Sequence, residues 1–297
     1  MDKIISISDP HYGAKPVARK DNYNLSILSK LEHCFKVARK NNCYLIICGD
    51  LFDRPTLNMQ AFINLLVLFE KYRSVNVIIL RGNYYHDGSP ESSPLTMLGL
   101  FMTNIVLSDG KDYYDLPQTR LIFCDNVTDP NKRDEFLHKT KTNVLITHHI
   151  IVNEPVIYKH FLINDIQTKA DYVLLADYHP EQGIIKRDDG VVFISTGALA
   201  RRKNVSHDVD RIPKFAYLSQ NCIVLKEIPC EKDVFVEKVD AKTANVDVLD
   251  NVKQMIELMD TNIMSANLLD AIDIFSQKVQ TNEDVIKFIK ERLNNGN

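Results

Sequence analysis

Short apolar runs recur along the first part of the chain, and segments with helical spacing separate them. The runs typical of buried strands are KIISIS, YLIICGD, VNVIILRGN, RLIFCDN, NVLITHH and DYVLLADYH. Apolar positions from Leu25 to Val37 predict a helix, as do MQAFINLLVLFEKY and the stretch near NKRDEFLHK. This alternation predicts a largely parallel sheet with helices packed on its faces.

The pattern changes near residue 184. GIIKRDDGVVFISTG, FAYLSQNCIVLKEIP and KDVFVEKVD are typical of strands joined by turns, and they predict a second, antiparallel sheet with a hairpin at Asp-Asp-Gly. Helical spacing then returns, for example at Leu249, Val252 and Ile256. We therefore predict an α/β fold, a two-sheet α/β sandwich over residues 1–230. A short capping strand and a small C-terminal helical region would occupy residues 231–297.

Composition excludes some classes of protein. A formal net charge of -3 argues against a chain that coats nucleic acid through bulk positive charge, although a local basic patch is compatible with it. The six cysteines form no CxxC pair, which favours reduced thiols in an intracellular protein. No apolar run approaches the roughly 18 residues needed to span a bilayer. We therefore expect a cytoplasmic protein without a membrane span.

Five of the predicted strands end in polar side chains that can bind a metal. The candidates, in chain order, are Asp9, His11, Asp50, Asn83, His148, Asp177 and His179. Because the carboxyl ends of parallel strands meet at one edge of a sheet, we expect these side chains to lie close together.

A set of imidazole, carboxylate and carboxamide groups suits borderline divalent ions such as Mn²⁺, Fe²⁺ or Zn²⁺. Seven ligands exceed the needs of one ion and match two ions that share a carboxylate. Two ions about 3.5–4 Å apart can activate a water and stabilise both oxygens of an in-line phosphoryl displacement. The sequence therefore predicts a two-metal centre for phosphoester hydrolysis.

In this order, DPHYG, GDLFD, GN, THH and DYH resemble the motifs of the calcineurin-like metallophosphoesterase superfamily over residues 1 to about 200. SPESSPL, STGALARR and the strands after them resemble the SbcD-type subfamily, the nuclease subunits of bacterial and phage double-strand-break repair. The resemblance implies a DNA exonuclease and endonuclease with two divalent ions, most often Mn²⁺. It also implies a coiled-coil ATPase partner of the SbcC type, in a bacterial cell or a phage-infected host.

The resemblance also implies a role for each ligand. Asp9, His11 and His179 would hold one metal, Asn83 and His148 would hold the second, and Asp50 would bridge the two. His148 is preferred to His149 because the family ligand comes first in the pair. Asp53 would either orient a ligand imidazole or cap a helix.

Two motifs depart from the family pattern. The family has Gly-His-x-His where this chain has Ala176-Asp177-Tyr178-His179, so the carboxylate of Asp177 occupies a ligand position. The family has Gly-Asn-His-Asp where this chain has RGNYYHDG, so Tyr84 and Tyr85 take the places of the acid pair.

Three interpretations of RGNYYHDG remain open. His86 and Asp87 are the family pair displaced by two residues, or a tyrosine such as Tyr84 donates a hydrogen bond to the developing charge, or general-acid help is lost. The last would lower the rate by about 10²–10⁴-fold. A catalytically weakened DNA-end-binding or scaffold subunit is therefore one alternative to the nuclease, and a phosphoesterase for small or protein phosphates is another.

Basic residues near the motifs are candidates for binding a DNA backbone: Arg201, Arg202, Lys203 and Lys15. The predicted C-terminal helices either cap the domain or dock a helix of the ATPase partner. We also consider a homodimer among the partner states.

Overall fold

The computed structural model describes residues 1–236. The C-terminal helices predicted from Leu249 onward, and most of the predicted 231–297 region, lie outside the described residues. The strands are β1 (Ile4–Ile7), β2 (Tyr44–Ile47), β3 (Val77–Leu80), β4 (Ile105–Ser108), β5 (Tyr113–Asp115), β6 (Thr119–Cys124), β7 (Thr142–Thr147), β8 (Ile151–Val152), β9 (Phe161–Leu162), β10 (Tyr172–Leu175), β11 (Gly183–Lys186), β12 (Val192–Ser195), β13 (Lys214–Ser219) and β14 (Cys222–Glu227). The helices are α1 (Tyr23–Asn41), α2 (Met59–Lys71), α3 (Tyr84–Asp87), α4 (Pro94–Phe101) and α5 (Ser206–Val209).

The strands form two mixed six-stranded sheets. The first has the spatial order β14–β13–β1–β2–β3–β4, and the second has the order β11–β12–β10–β7–β6–β5, with β8 and β9 as a separate pair. Within the first sheet β1 to β4 run parallel, and within the second β6, β7, β10 and β12 run parallel. The predicted α/β sandwich of two sheets is confirmed.

Alternation along each strand explains the layers. In β2, Leu45 and Ile47 pack with α1 and α2 on the outer face of the first sheet, whereas Ile46 packs against the second sheet. Because both faces of the central strands are covered, their sequences are nearly continuous apolar runs rather than alternating ones. A third apolar cluster, which includes Phe193, covers the outer face of the second sheet.

Asparagines mark the ends of the predicted helices. The Asn22 side chain accepts a hydrogen bond from the Leu25 amide at the start of α1, and the Asn58 side chain accepts one from the Gln60 amide at the start of α2. Asn42 ends α1 in the left-handed conformation with φ of 52°. Among the described helices, none is long and apolar enough to cross a membrane.

The prediction of a separate antiparallel sheet is wrong. The β11–β12 hairpin, which does turn at the predicted Asp-Asp-Gly, extends the second sheet, and the β13–β14 hairpin extends the first. The reason is edge pairing, because β13 satisfies the open backbone edge of β1 and β12 satisfies that of β10. Of the predicted capping strand, Phe235 forms a single antiparallel bridge with Arg19.

The predicted helix near NKRDEFLHK is also wrong. The segment forms two 3₁₀ turns, Pro130–Lys132 and Asp134–Phe136. The Asp134 carboxylate accepts hydrogen bonds from the Thr168 hydroxyl and the Lys169 amide, and this contact ties the segment to a distant loop. Long-range contacts therefore override the local helical spacing.

Candidate metal centre

The predicted ligands converge where the two sheets meet. β1, β2 and β3 bring Asp9, His11, Asp50 and Asn83 from the first sheet, and β7 and β10 bring His148, Asp177 and His179 from the second. A parallel bridge between Ser8 and Ala198 joins the sheets at this edge, and the Leu199 amide donates to the Ser8 carbonyl at 2.8 Å. The site is a rim shared by both sheets.

Backbone strain marks the same rim. Asp9, His11, Asp50 and Asp177 adopt positive φ angles of 51°, 46°, 47° and 70°. Non-glycine residues pay about 1–3 kcal/mol each for such conformations, which persist mainly at functional sites. All four residues follow a strand within a few positions, so the strained backbone coincides with the candidate ligands.

Two glycines make room for the ligands. A Cβ on Gly82 would lie 2.1 Å from the Asp50 carboxylate oxygen Oδ1, and a Cβ on Gly49 would lie 2.3 Å from Nδ1 of His148. Gly49 also has a φ of +100°, which side chains other than hydrogen rarely allow. Both positions therefore need glycine.

The first group of ligands is Asp9, His11 and His179, whose candidate atoms lie within 4.8 Å of one another. Nε2 of His11 lies 3.1 Å from Nε2 of His179, and the latter nitrogen lies 4.0 Å from Oδ1 of Asp9. Burial, together with the charge of Arg202, lowers the pKa of His11 well below its usual value and that of His179 to about 3. Both imidazoles are therefore neutral at pH 7, as metal ligation requires.

The second group contains Asp9, Asp50 and His148. Nδ1 of His148 lies 2.8 Å from the Cys48 carbonyl, so its N–H donates there and Nε2 faces Oδ1 of Asp50 at 3.3 Å. Burial raises the pKa of Asp50, but the charges of His148 and His86 outweigh it and hold that pKa well below its usual value. The first and second groups share Asp9, and Asp50 has one oxygen toward each group, since its Oδ2 lies 4.0 Å from Nε2 of His11.

Asn83 and Asp177 complete the second side of the centre. The Asn83 amide nitrogen lies 3.3 Å from Oδ2 of Asp50 and 3.4 Å from both Nε2 of His148 and Oδ1 of Asp177. The carboxylate of Asp177 therefore faces His148, from which it lies 3.9 Å, at the position where the family has a histidine. Burial raises the pKa of Asp177.

These residues fit a pair of divalent cations. Oδ1 of Asp9 is buried and has no hydrogen-bond partner among residues 1–236. Burial raises the pKa of Asp9 to about 7, since three carboxylates share one desolvated cluster. A cation in contact with Asp9 and Asp50 would neutralise this charge and would use the unpaired oxygen.

One helical turn brings His86 to the centre. After Asn83 the chain enters α3, and the His86 and Asp87 amides donate to the Asn83 carbonyl at 2.9 Å. Residues three apart lie on one face of a helix, so His86 returns to the side of Asn83, with Nε2 lying 3.7 Å from Oδ2 of Asp50. Its Nδ1 donates to the Asp53 carbonyl at 2.5 Å, and its ring packs edge-on against His11.

Asp87 anchors that turn. Its side chain is fully buried and its two oxygens accept hydrogen bonds from the Phe52 and Gly82 amides, each at 2.9 Å. Burial raises the pKa of Asp87 to about 6. Of the His-Asp pair in RGNYYHDG, His86 therefore lies at the centre and Asp87 binds the backbone amides beside it.

A family model for calcineurin-like phosphoesterases matches residues 2–212. This chain belongs to the calcineurin-like phosphoesterase family. Among curated proteins, none matches it. A solved structure described as TT1561 of Thermus thermophilus is similar with 10% identity and a TM-score of 0.47, covering 77% of this chain and 99% of that one. A second solved structure is similar with 11% identity and a TM-score of 0.45, over the same shares of the two chains.

In this calcineurin-like phosphoesterase, Tyr85 rather than Tyr84 lies against His86, with ring centroids 4.4 Å apart. Desolvation and the charges of Asp50 and Asp177 raise the pKa of Tyr85. Both tyrosine side chains are exposed, Tyr84 by 42% and Tyr85 by 50%. The sequence singled out Tyr84 because it follows Asn83 directly, and a role for either tyrosine remains a prediction.

The other predicted site residues differ in how buried they are and in whether they lie beside the centre. Asp53 accepts a hydrogen bond from Arg202 at 2.6 Å and lies 3.9 Å from the unpaired Nδ1 of His11. Arg202 therefore lies beside the centre, whereas Lys15 and Lys203 are exposed. Arg201 is buried and its guanidinium donates to the Val209 and Glu231 carbonyls, which places it in the interior instead of on a DNA-facing surface.

Sequence reasoning missed two residues near the centre. Arg81 is fully buried and donates to the Asp87 and Gly88 carbonyls at the end of α3 and to the Asp109 carboxylate. It was available in the quoted motif, as a charged residue directly after a buried strand. Asn126 follows β6 and donates to Oδ1 of Asn83 at 2.5 Å. Its signal was the same, a polar side chain at the end of an apolar strand.

Proposed function

We propose that this phosphoesterase is a metal-dependent nuclease that acts on DNA ends, as the nuclease subunit of a repair or recombination complex. The observation that carries the proposal is His86, which lies 3.7 Å from Asp50 at the centre of the ligand set. This placement supports an active hydrolase over a weakened DNA-end-binding subunit.

Each side chain has a task in this proposal. Two bound divalent ions, proposed to be Mn²⁺, would supply water activation and neutralise the phosphate charge. His86, oriented by the Asp53 carbonyl, would give a proton to the leaving oxygen, and the Tyr85 hydroxyl would donate a hydrogen bond to the phosphate. Arg202 would bring a positive charge to the same phosphate from beside Asp53.

Two arguments support DNA as the substrate. The strands and loops after residue 195 resemble the SbcD type, and Lys15 and Lys203 are exposed positive charges in segments that follow two of the motifs, where they could contact a phosphate backbone independently of its sequence. We propose an SbcC-type ATPase as the partner of this chain.

The acid role is tested with His86→Gln. Degradation of end-labelled linear duplex in Mn²⁺ should fall by about 10²–10⁴-fold, while Mn²⁺ affinity stays within about twofold of the unsubstituted protein. Tyr84→Phe should change little, and His33→Gln on α1 serves as a matched control for replacing a histidine elsewhere. Full activity in His86→Gln would assign the acid elsewhere, and no activity even in the unsubstituted protein would favour the scaffold alternative.

Substrate class is tested by salt dependence. Lys15→Gln with Lys203→Gln should lower the slope of log affinity for duplex DNA against log salt by about 2, because each lysine releases roughly one counterion. Lys40→Gln, an exposed position at the end of α1 on the opposite edge of the sheet, should leave the slope unchanged. Hydrolysis of p-nitrophenyl phosphate without DNA binding at low salt would favour the small-phosphate alternative.

We also propose that the homodimer forms through exposed apolar side chains of α2 and α4, two helices that pack on the first sheet. These side chains are Met59, Ile63 and Val67 of α2 and Met97, Leu100 and Phe101 of α4. A two-fold pair would bury the same apolar side chains on both copies at once.

A further inference from the structure

Asn126 reaches the centre from a strand to which no ligand was assigned. It directly follows Asp125 at the carboxyl end of β6, the neighbour of β7 in the second sheet. The buried Asp125 carboxylate accepts hydrogen bonds from the Val127 amide at 3.3 Å and the Thr128 amide at 2.8 Å. This turn holds Asn126 at the rim, and the side chain of Asn126 remains partly exposed.

The contact of Asn126 is with a predicted ligand. Its amide nitrogen donates to Oδ1 of Asn83 at 2.5 Å, and the nitrogen of Asn83 faces Asp50 at 3.3 Å and Asp177 at 3.4 Å. The Asn83 backbone amide is fixed separately, since it donates to Oδ1 of Asp50 at 2.7 Å. The side-chain amide of Asn83, in contrast, can adopt either of two orientations that differ by about 180°.

A carboxamide binds a divalent ion through its oxygen, because the amide nitrogen has no available lone pair. To ligate, the Asn83 amide must turn by about 180°, which presents Oδ1 to Asp50, His148 and Asp177. The turn moves the Asn83 nitrogen toward Asn126. Asn126 can accept a hydrogen bond from that nitrogen only if its own amide also turns, because a carboxamide carries a donor on one side and an acceptor on the other.

We propose that Asn126 is a positioning residue that determines whether the oxygen or the nitrogen of the Asn83 amide faces the metal centre. The inference rests on the ligand role of Asn83 and not on the nucleic-acid substrate. A carboxylate at position 126 can only accept, so it would hold Asn83 with its oxygen toward the centre. An apolar side chain of similar size would support neither orientation.

The test measures Mn²⁺ binding by titration of the electron paramagnetic resonance signal of the free ion, without DNA. Asn126→Asp should tighten binding by about tenfold, as expected for one hydrogen bond to a charged or ligating group, whereas Asn126→Leu, which favours neither orientation, should not tighten it. Val127→Asp adds the same charge one residue away on a side chain that is 70% exposed and away from the amide contact. It should tighten binding by no more than about twofold.

A double-mutant cycle separates orientation from charge. If Asn126 acts through Asn83, the gain from Asn126→Asp should disappear in the Asn83→Ala background. A gain that persists there, or one that Val127→Asp reproduces, would overturn the proposal. Because the readout is ion binding, an absence of nuclease activity would leave this result unaffected, and thermal unfolding of each variant shows whether it has folded.

Discussion

Mn²⁺ should bind more tightly as pH rises from 6 to 8, because Asp9 must lose a proton before it can ligate. Burial, with the charge of Asp50 and against that of His148, raises the pKa of Asp9 from 3.8 to about 7. At that value about a tenth of the molecules have an ionised Asp9 at pH 6 and about nine tenths at pH 8. The apparent association constant should therefore rise about tenfold from this residue alone.

One neighbouring ligand, His148, makes this rise with pH steeper. Burial lowers the pKa of His148, but the charge and hydrogen bond of Asp50 outweigh it and raise that pKa well above 6.5, so His148 must also release a proton before it ligates. Burial lowers the pKa of both His11 and His179, so these two bring no proton to the reaction.

Calorimetric titration in buffers of different ionisation enthalpy measures the number of protons released. We expect more than one proton per centre at pH 6 and fewer at pH 8. In Asp9→Asn, which keeps the side-chain shape but cannot titrate, the affinity should be lower throughout and its pH dependence shallower. An affinity that is constant or falls between pH 6 and pH 8 would refute the reasoning.

Three further predictions concern the supports of the site and its outer face. Gly82→Ala should weaken Mn²⁺ binding at least about tenfold, because its Cβ would lie 2.1 Å from Asp50, whereas Gly99→Ala, with 3.5 Å to its nearest neighbour, is the matched control for calorimetry. Arg81→Met should lower the free energy of unfolding by about 3–5 kcal/mol in chemical denaturation, because the Asp87 and Gly88 carbonyls and the Asp109 carboxylate lose their donor. A loss below about 1 kcal/mol would show that these Arg81 hydrogen bonds are dispensable. Leu100→Glu, at a side chain that is 80% exposed, should convert a dimer to a monomer in light scattering without a lower melting temperature, and an unchanged mass would move the interface elsewhere.

Sequence alone predicted the α/β sandwich and the polar residues at the strand ends. Both follow from local rules, because buried parallel strands are continuous apolar runs and their carboxyl ends share one edge. Asp9, Asp50 and His148 were predicted from this pattern, and the structure brings them together. Their roles as ligands remain predictions.

Other features of the site could be decided only by the tertiary structure. The sequence showed that His86 comes two residues late, but only the helical turn of α3 shows that this delay returns it to the side of Asn83. Arg201 and Arg202 both follow the last motif, yet Arg201 is buried and Arg202 lies beside the centre. Tertiary contacts, and not the neighbouring residues in the sequence, decide how deeply each side chain is buried.

The partition of the strands between two sheets was likewise decided by the tertiary structure. The segments around β11 and β13 both predict a hairpin, and nothing in either sequence indicates which sheet it joins; the free edges of β10 and β1 decide this. The chain's local chemistry determined which side chains stand at strand ends. Packing alone decided which of them meet, since a contact such as that between Asn83 and Asn126 joins residues 43 positions apart.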